Sequence, residues 1–318
     1  MQYNQFIKLF SAALLTALLS FQVSANSLPE HTTEVAENVY SYGNPNMGYF
    51  SMFVVTKKGV AVFETVNTKH SQGMLAAIKE ITDKPIRKVF HSHNHWDHSA
   101  GGKVFQDVGA KTIAHHQAYE WMVSNPHPDM ATPSKFWKGS RKDINMGGTK
   151  IELHYLGLNH GLGMTVFVLP KERIAYIADL VTPNRVLFTI APDFNIKPFV
   201  ASLKKIETLD FDKAVYSHSH ATPFEPKSWV TTTHEFVTDV RNAIYAEFAK
   251  GTPFGQIPTT IDLPKYNGLA MYSEWLHMNA WRIMLDDVMG PFPWAPPHKF
   301  NAKHSHHKQN HQHKHHDD

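Results

Sequence analysis

The sequence contains no cysteine. That absence excludes disulfides, cysteine-ligated zinc, iron–sulfur clusters, thiol redox chemistry and a cysteine nucleophile together. A strong charge of either sign is also lacking. The 318 residues carry a formal net charge of +3, too mild a surplus to point to nucleic acid as a partner. Beyond the first 25 residues no apolar run approaches the ~20 residues needed to span a membrane. The remaining balance, 42% hydrophobic and 19% charged residues, is that of a folded globular chain and not a disordered one. Its length allows one large domain or two modest ones.

Histidine is what the sequence has in excess, with 23 copies. It is a metal ligand and it titrates near neutral pH, so its placement carries the argument. Eight of the 23 lie in residues 298–318, HKFNAKHSHHKQNHQHKHHDD, a stretch with almost nothing to bury. This end is expected to be a disordered tail, serving either as an adaptable metal binder or as a charged solubiliser. At the other end, Lys8 precedes an apolar run over residues 9–21, and Val23-Ser24-Ala25 fits a cleavage site. Residues 1–25 therefore read as a secretory signal, which predicts a periplasmic or secreted protein.

Residues 26–297 are expected to form one domain with a C-terminal helical extension. Strands are predicted at residues 52–55, 59–63, 87–90, 111–114, 150–156, 165–169, 173–178 and 214–216. Helices are predicted at 74–81, around Val104 and Phe105, and at 117–124, 200–209, 229–250 and 271–289. Strands and helices recur with similar spacing in both halves, which predicts an α/β layered domain with its sheets inside. Residues 125–145 are polar and read as a long loop, a lid bordering the site, with Phe136 and Trp137 either offered to substrate or packed against the domain. His154 falls on the polar face of its strand and is expected to be exposed. His115-His116 is read as a cap or an outer partner. His31, His70, His127, His234 and His277 are read as structural.

The informative run is residues 91–102, His-Ser-His-Asn-His-Trp-Asp-His-Ser-Ala-Gly-Gly. It follows a short strand and precedes a glycine pair, so it belongs on a strand-end loop, where functional residues are commonly carried. Alternate residues of an extended segment project to one side, so His93 and His95 can share one ion. Asp97 and His98 then face a second. Nitrogen and carboxylate oxygen together suit zinc. Further ligands are available at later strand ends: His160 in Leu-Asn-His-Gly, Asp179 in Ile-Ala-Asp-Leu, and His218 or His220 in Tyr-Ser-His-Ser-His. His91 offers a rival register for the first pair.

From residue 35 to about residue 223 these segments, in this order, resemble the metallo-β-lactamase superfamily. The resemblance implies an αββα sandwich, two mixed β-sheets flanked by helices. By position it implies that His93, His95 and His160 hold a first zinc. Asp97, His98 and His218 would hold a second, with Asp179 bridging the two. His91 and His220 stay as alternative ligands or outer partners. The chain departs from the family pattern after His160, where Gly161-Leu162-Gly163 replaces a common Thr-Pro-Gly, and in a short hairpin before Asp179. The absence of cysteine excludes the lactamase subgroup with a cysteine ligand.

The implied activity is that of a zinc-dependent hydrolase with two zinc ions per chain and a small-molecule substrate. A zinc ion lowers the pKa of bound water from 15.7 towards about 7. The resulting hydroxide, oriented by Asp97, would attack a cyclic amide or ester, β-lactam- or lactone-like. Other hydrolysable esters (sulfate, phosphate, thioester) are the first alternative. An exported zinc-binding or zinc-buffering protein, using the site and the histidine-rich tail, is the second.

Overall fold

The β-branched and aromatic runs of the sequence pair into two mixed sheets. The computed structural model describes residues 28–290; the segment read as a signal and the histidine-rich tail lie outside the described residues. In chain order the strands are β1 (Thr32–Ala36), β2 (Val39–Asn44), β3 (Tyr49–Thr56), β4 (Gly59–Phe63), β5 (Ile86–Phe90), β6 (Lys111–His115), β7 (Lys135–Trp137), β8 (Arg141–Met146), β9 (Thr149–Tyr155), β10 (Thr165–Leu169), β11 (Ile174–Ile177), β12 (Lys213–Tyr216) and β13 (Glu225–Pro226). The helices are α1 (Thr68–Ile81), α2 (Trp96–Ser99), α3 (Gly102–Asp107), α4 (His116–Ser124), α5 (Ile196–Glu207), α6 (Ser228–Lys250), α7 (Ile257–Thr260) and α8 (Tyr272–Met289). Among the described residues no helix is long and apolar enough to cross a membrane.

The first sheet holds β1 to β7 in sequence order, and the second runs β13-β12-β11-β10-β9-β8. The pairs β4–β5, β5–β6, β6–β7 and β11–β12 are parallel; the remaining pairs are antiparallel. Inward side chains of both sheets share one core, in which Phe63 lies 5.3 Å from Phe90 and 5.1 Å from Phe167 between ring centroids. The Tyr176 hydroxyl donates to the Phe50 carbonyl at 3.0 Å and ties one sheet to the other. Met74 and Ile78 of α1 cover the outer face of the first sheet against Tyr40, Phe53 and Val62. Phe199 of α5, Phe236 of α6 and Ile283 of α8 join the apolar cluster of the second sheet. The layers are therefore helix, sheet, sheet, helix.

Local sequence sets several element ends. Asn67 caps α1 by accepting from the His70 backbone N–H, so the helix begins six residues before the expected Met74. Gly251, at φ +78°, closes α6 in the left-handed conformation that glycine adopts without cost.

Two expectations are corrected. Residues 125–145 hold β7 and β8 in place of a continuous loop. Both strands lie at sheet edges, so their exposed Lys135, Arg141 and Lys142 give the segment a loop-like composition. Phe136 and Trp137 alternate across β7: Trp137 is buried in the core 4.7 Å from the His115 ring, and Phe136 is exposed beside Tyr119. His154 is buried, not exposed. The edge strand β8 pairs Arg141 against it, and its Nε2 lies 3.0 Å from Glu152 Oε2.

Gly101, in the turn between α2 and α3, has an ordinary φ of −78° and is needed for space, not for conformation. A Cβ there would overlap Ser71 Oγ and the carbonyl oxygens of Asn67 and Thr65. Gly101→Ala is expected to destabilise the fold by about 1–3 kcal/mol, the usual cost of overpacking. Urea denaturation checks this, and parental stability would show that the turn yields.

Candidate metal centre

Strand ends bring the site together. Residues 91–95 leave the carboxyl end of β5, and α2 begins at Trp96, so Asp97 and His98 follow His93 and His95 within one turn. His160 stands in the turn after β9. Asp179 and His218 each stand two residues beyond the parallel neighbours β11 and β12, which sets them side by side.

The Asp179 carboxylate is the pivot of this cluster. Its Oδ2 lies 2.9 Å from His160 Nε2, 3.3 Å from His93 Nε2 and 3.7 Å from His95 Nδ1. Its Oδ1 lies 3.0 Å from His98 Nε2 and 3.0 Å from His218 Nε2. Asp97 Oδ2 is 3.4 Å from His98 Nε2. Two groups result, His93-His95-His160-Asp179 and Asp97-His98-His218, in each of which all ligand atoms fall within 4.8 Å of one another. A third group of the same kind joins Glu64 to His93 and His98.

Each imidazole is oriented from behind. His98 Nδ1 donates to Glu64 Oε2 at 2.7 Å, and His218 Nδ1 donates to the Gly48 carbonyl at 3.0 Å. His95 Nε2 and His160 Nδ1 each lie 2.8 Å from the Asp193 carboxylate. His93 Nδ1 lies 2.7 Å from Ser92 Oγ. Such partners fix the tautomer and turn the other nitrogen towards the centre.

The electrostatics favour cations. Burial pushes His93 down to about 3, which keeps it a neutral ligand. Burial also opposes a charge on His95, but Asp179 and Asp193 outweigh it and raise His95 to about 9. Burial alone would raise Asp179; His98, His218 and His160 instead hold it well below the usual carboxylate range. The buried Nε2 of His93 has no hydrogen-bond partner among the described residues. An unpartnered nitrogen facing a shared carboxylate, inside a mixed imidazole and carboxylate set, fits a bound metal ion.

The structure leaves both rival residues outside these groups. His91 is buried with neither ring nitrogen hydrogen-bonded among the described residues, and its Cε1 faces Gly102. His220 lies on the wall of the cleft, with its Nε2 3.3 Å from Arg185 Nη1.

The centre forms the floor of a cavity of about 520 Å³. Leu180, Val186, Leu187, Phe188 and Phe194 form apolar walls, and Tyr49, Thr182, Arg185 and His220 add polar groups. Neither Phe136 nor Trp137 is among the lining residues, which corrects the expected lid contact. The Tyr49 hydroxyl donates to Asp97 Oδ2 at 2.9 Å. Arg185 donates to Thr182 Oγ1 at 3.1 Å and packs over Trp275, and among the described residues no carboxylate lies within ion-pair distance of it.

Glu64, Asp193, Tyr49 and Arg185 were not singled out from the sequence. Glu64 and Asp193 follow no ligand spacing, and their only sequence signal is an acidic residue beside an apolar or strand-forming segment.

A family model described as the metallo-β-lactamase superfamily matches residues 46–218, more than half of the chain. The chain belongs to this superfamily. Over 135 residues it is 29% identical to the α subunit of 2,4-dinitroanisole O-demethylase from Nocardioides sp. (strain JS1661), a match covering 42% of this chain and 41% of that protein. Over 144 residues it is 28% identical to metallo-β-lactamase IND-1 from Chryseobacterium indologenes, covering 45% of this chain and 59% of that protein. The matched stretch thus spans between 41% and 59% of these curated relatives. Among solved structures, a metallo-β-lactamase from Pontibacter korlensis superposes with a TM-score of 0.57 at 20% identity, over 64% of this chain and 96% of that one. A stereoselective inverting sec-alkylsulfatase from Pseudomonas sp. superposes with a TM-score of 0.65 at 14% identity, over 81% of this chain and 50% of that one. These likenesses support the superfamily fold; α6, α7 and α8 lie beyond the residues that the family model matches.

Glu64 supplies a test of the centre that does not depend on substrate. Glu64→Gln removes the charge behind His98 and leaves the shape. Metal affinity, measured with zinc by competition with a chromophoric chelator, is expected to fall roughly 10- to 100-fold, the usual effect of losing such a partner. Unchanged affinity would show that Glu64 serves packing alone.

Proposed function

We propose that the protein is a hydrolase that holds two zinc ions, the first on His93, His95 and His160 and the second on Asp97, His98 and His218. Asp179 is the bridge between them. The observation that carries this reading is the division of labour on Asp179, one oxygen towards each group of imidazoles. Zinc, when bound, supplies Lewis acidity and a water acidified to near neutrality.

The chain's own residues have distinct parts in this reading. Asp97 faces the cavity. Its carboxylate orients the attacking water and accepts its proton. The Tyr49 hydroxyl fixes the rotation of that carboxylate. The apolar walls exclude water and receive the body of a substrate. The Arg185 guanidinium, with no carboxylate within ion-pair distance among the described residues, pairs with an anionic group on the substrate. A cyclic amide or ester bearing such a group, β-lactam- or lactone-like, matches these features, and sulfate esters are the next class to test. We also propose export, on the strength of residues 1–25 alone; N-terminal sequencing of the protein recovered outside the cytoplasm is expected to begin at Asn26.

The deciding experiment presents the zinc-loaded full chain with nitrocefin, lactones, aryl esters and aryl sulfates. Turnover is expected for anionic cyclic amides or esters in preference to neutral ones of the same size. Asp97→Asn is expected to keep the first zinc and to lose on the order of a hundredfold or more in kcat, the scale of one positioned acid–base group. If Asp97→Asn turns over like its parent, this mechanism is wrong. A chain that binds two zinc ions and turns over nothing in the panel favours a zinc-binding or buffering role.

A further inference from the structure

Helix α8 lies beyond the residues matched by the family model, yet it grips a loop of the metal centre. Arg282 is buried, and its Nε donates to the Ala191 carbonyl at 3.1 Å while its Nη2 donates to the Phe194 carbonyl. One turn earlier, Asn279 Nδ2 donates to the carbonyls of Leu187 at 3.1 Å and Thr189 at 2.6 Å. Asp193 stands between the two carbonyls that Arg282 holds. Its carboxylate contacts both His95 and His160 at 2.8 Å and accepts from the Gly161 backbone N–H at 3.0 Å. Phe194 places its ring centroid 4.3 Å from that of His160.

The loop needs such a grip. Thr189 and Ala191 have φ of +42° and +43°, in the left-handed region that non-glycine residues adopt at a cost. Strained conformations persist only where the surroundings over-determine them. Here the surroundings are the side chains of α8 on one side and the imidazoles on the other.

We propose that Arg282 is a positioning residue of the metal centre: it clamps residues 191–194 so that Asp193 sets the orientation of His95 and His160. This rests on the metal-centre reading above. The role requires arginine, because a planar fork can serve two carbonyls at once and a single ammonium cannot hold both in register. Asp286 Oδ1, 3.7 Å from Arg282 Nη2 on the same helix, offsets the buried charge. An element outside the matched family region thereby tunes zinc binding on residues inside it.

The test is a double-mutant cycle on the full chain, read by zinc affinity and by the visible absorption of the cobalt(II)-substituted protein. Asp193→Asn is expected to weaken one ion roughly 10- to 100-fold. Arg282→Lys should weaken the same ion about tenfold and shift the same cobalt bands. In the Asp193→Asn background it should add almost nothing, because it acts through Asp193. Arg282→Gln keeps a donor for one carbonyl and loses the fork, and serves should Arg282→Lys not fold; it should weaken the same ion at least as much. A parent that takes up no zinc overturns the metal-centre reading and this inference with it. If the parent binds zinc and Arg282→Lys and Arg282→Gln match its affinity and spectrum, the inference alone is overturned. Losses that multiply in the double variant also overturn it, since an arginine with a purely structural role would act independently of Asp193.

Discussion

Asp179 is a carboxylate taken out of water among five imidazoles, and the arrangement of the site follows from satisfying it. A buried charge without partners costs several kcal/mol, so the chain must surround it with groups that accept or share its charge. The two oxygens divide that task, one facing His93, His95 and His160 and the other facing His98 and His218. The division is possible because β11 and β12 run parallel and end together, so Asp179 and His218 emerge at the same level as the loop after β5. Antiparallel neighbours would have put one of the two at the far edge of the sheet.

The outer groups show how much of the fold serves this centre. Glu64, at φ +69°, leaves β4 in a left-handed conformation that turns its carboxylate onto the Ser92 N–H and His98 Nδ1. Val66, a β-branched residue at φ +58°, continues the same strained turn, and its N–H donates to the His98 carbonyl. Strain at these positions is offset by hydrogen bonds that a relaxed backbone could not make. On the other side of the centre, Asp193 plays the matching part for His95 and His160. The flexible side chains of the candidate site become rigid because each imidazole is held from behind at one ring nitrogen.

The cavity is asymmetric in chemistry as well as shape. Its floor is polar, its walls are largely apolar, and Arg185 faces it with no carboxylate within ion-pair distance among the described residues. Water excluded by the walls strengthens every charge interaction at the floor. The loop that carries these walls, residues 185–194, is also the loop held by α8. The apolar wall and the Asp193 contacts to His95 and His160 thus belong to one segment, so a change in its anchoring reaches both.

Local information was enough for the layers and for the run that carries most of the candidate site. Residues 91–102 hold four of its residues, where chain geometry alone puts them within reach of each other, and apolar periodicity marked the main strands and helices. The sandwich and the order of the strand ends that meet at the candidate site were legible for that reason. Tertiary structure decided the rest. Trp137 and Phe136 alternate across a strand, but only the packing of two sheets determines which face is buried. His154 sits on a polar face that an edge strand then covers. Glu64 and Asp193 reach their imidazoles from 34 and 98 residues away in sequence, so no spacing announces them. His91 and His93 differ by two residues and point the same way along an extended chain. What separates them is that one ring is packed behind the loop and the other faces Asp179, a distinction that arises when distant segments are brought together by folding.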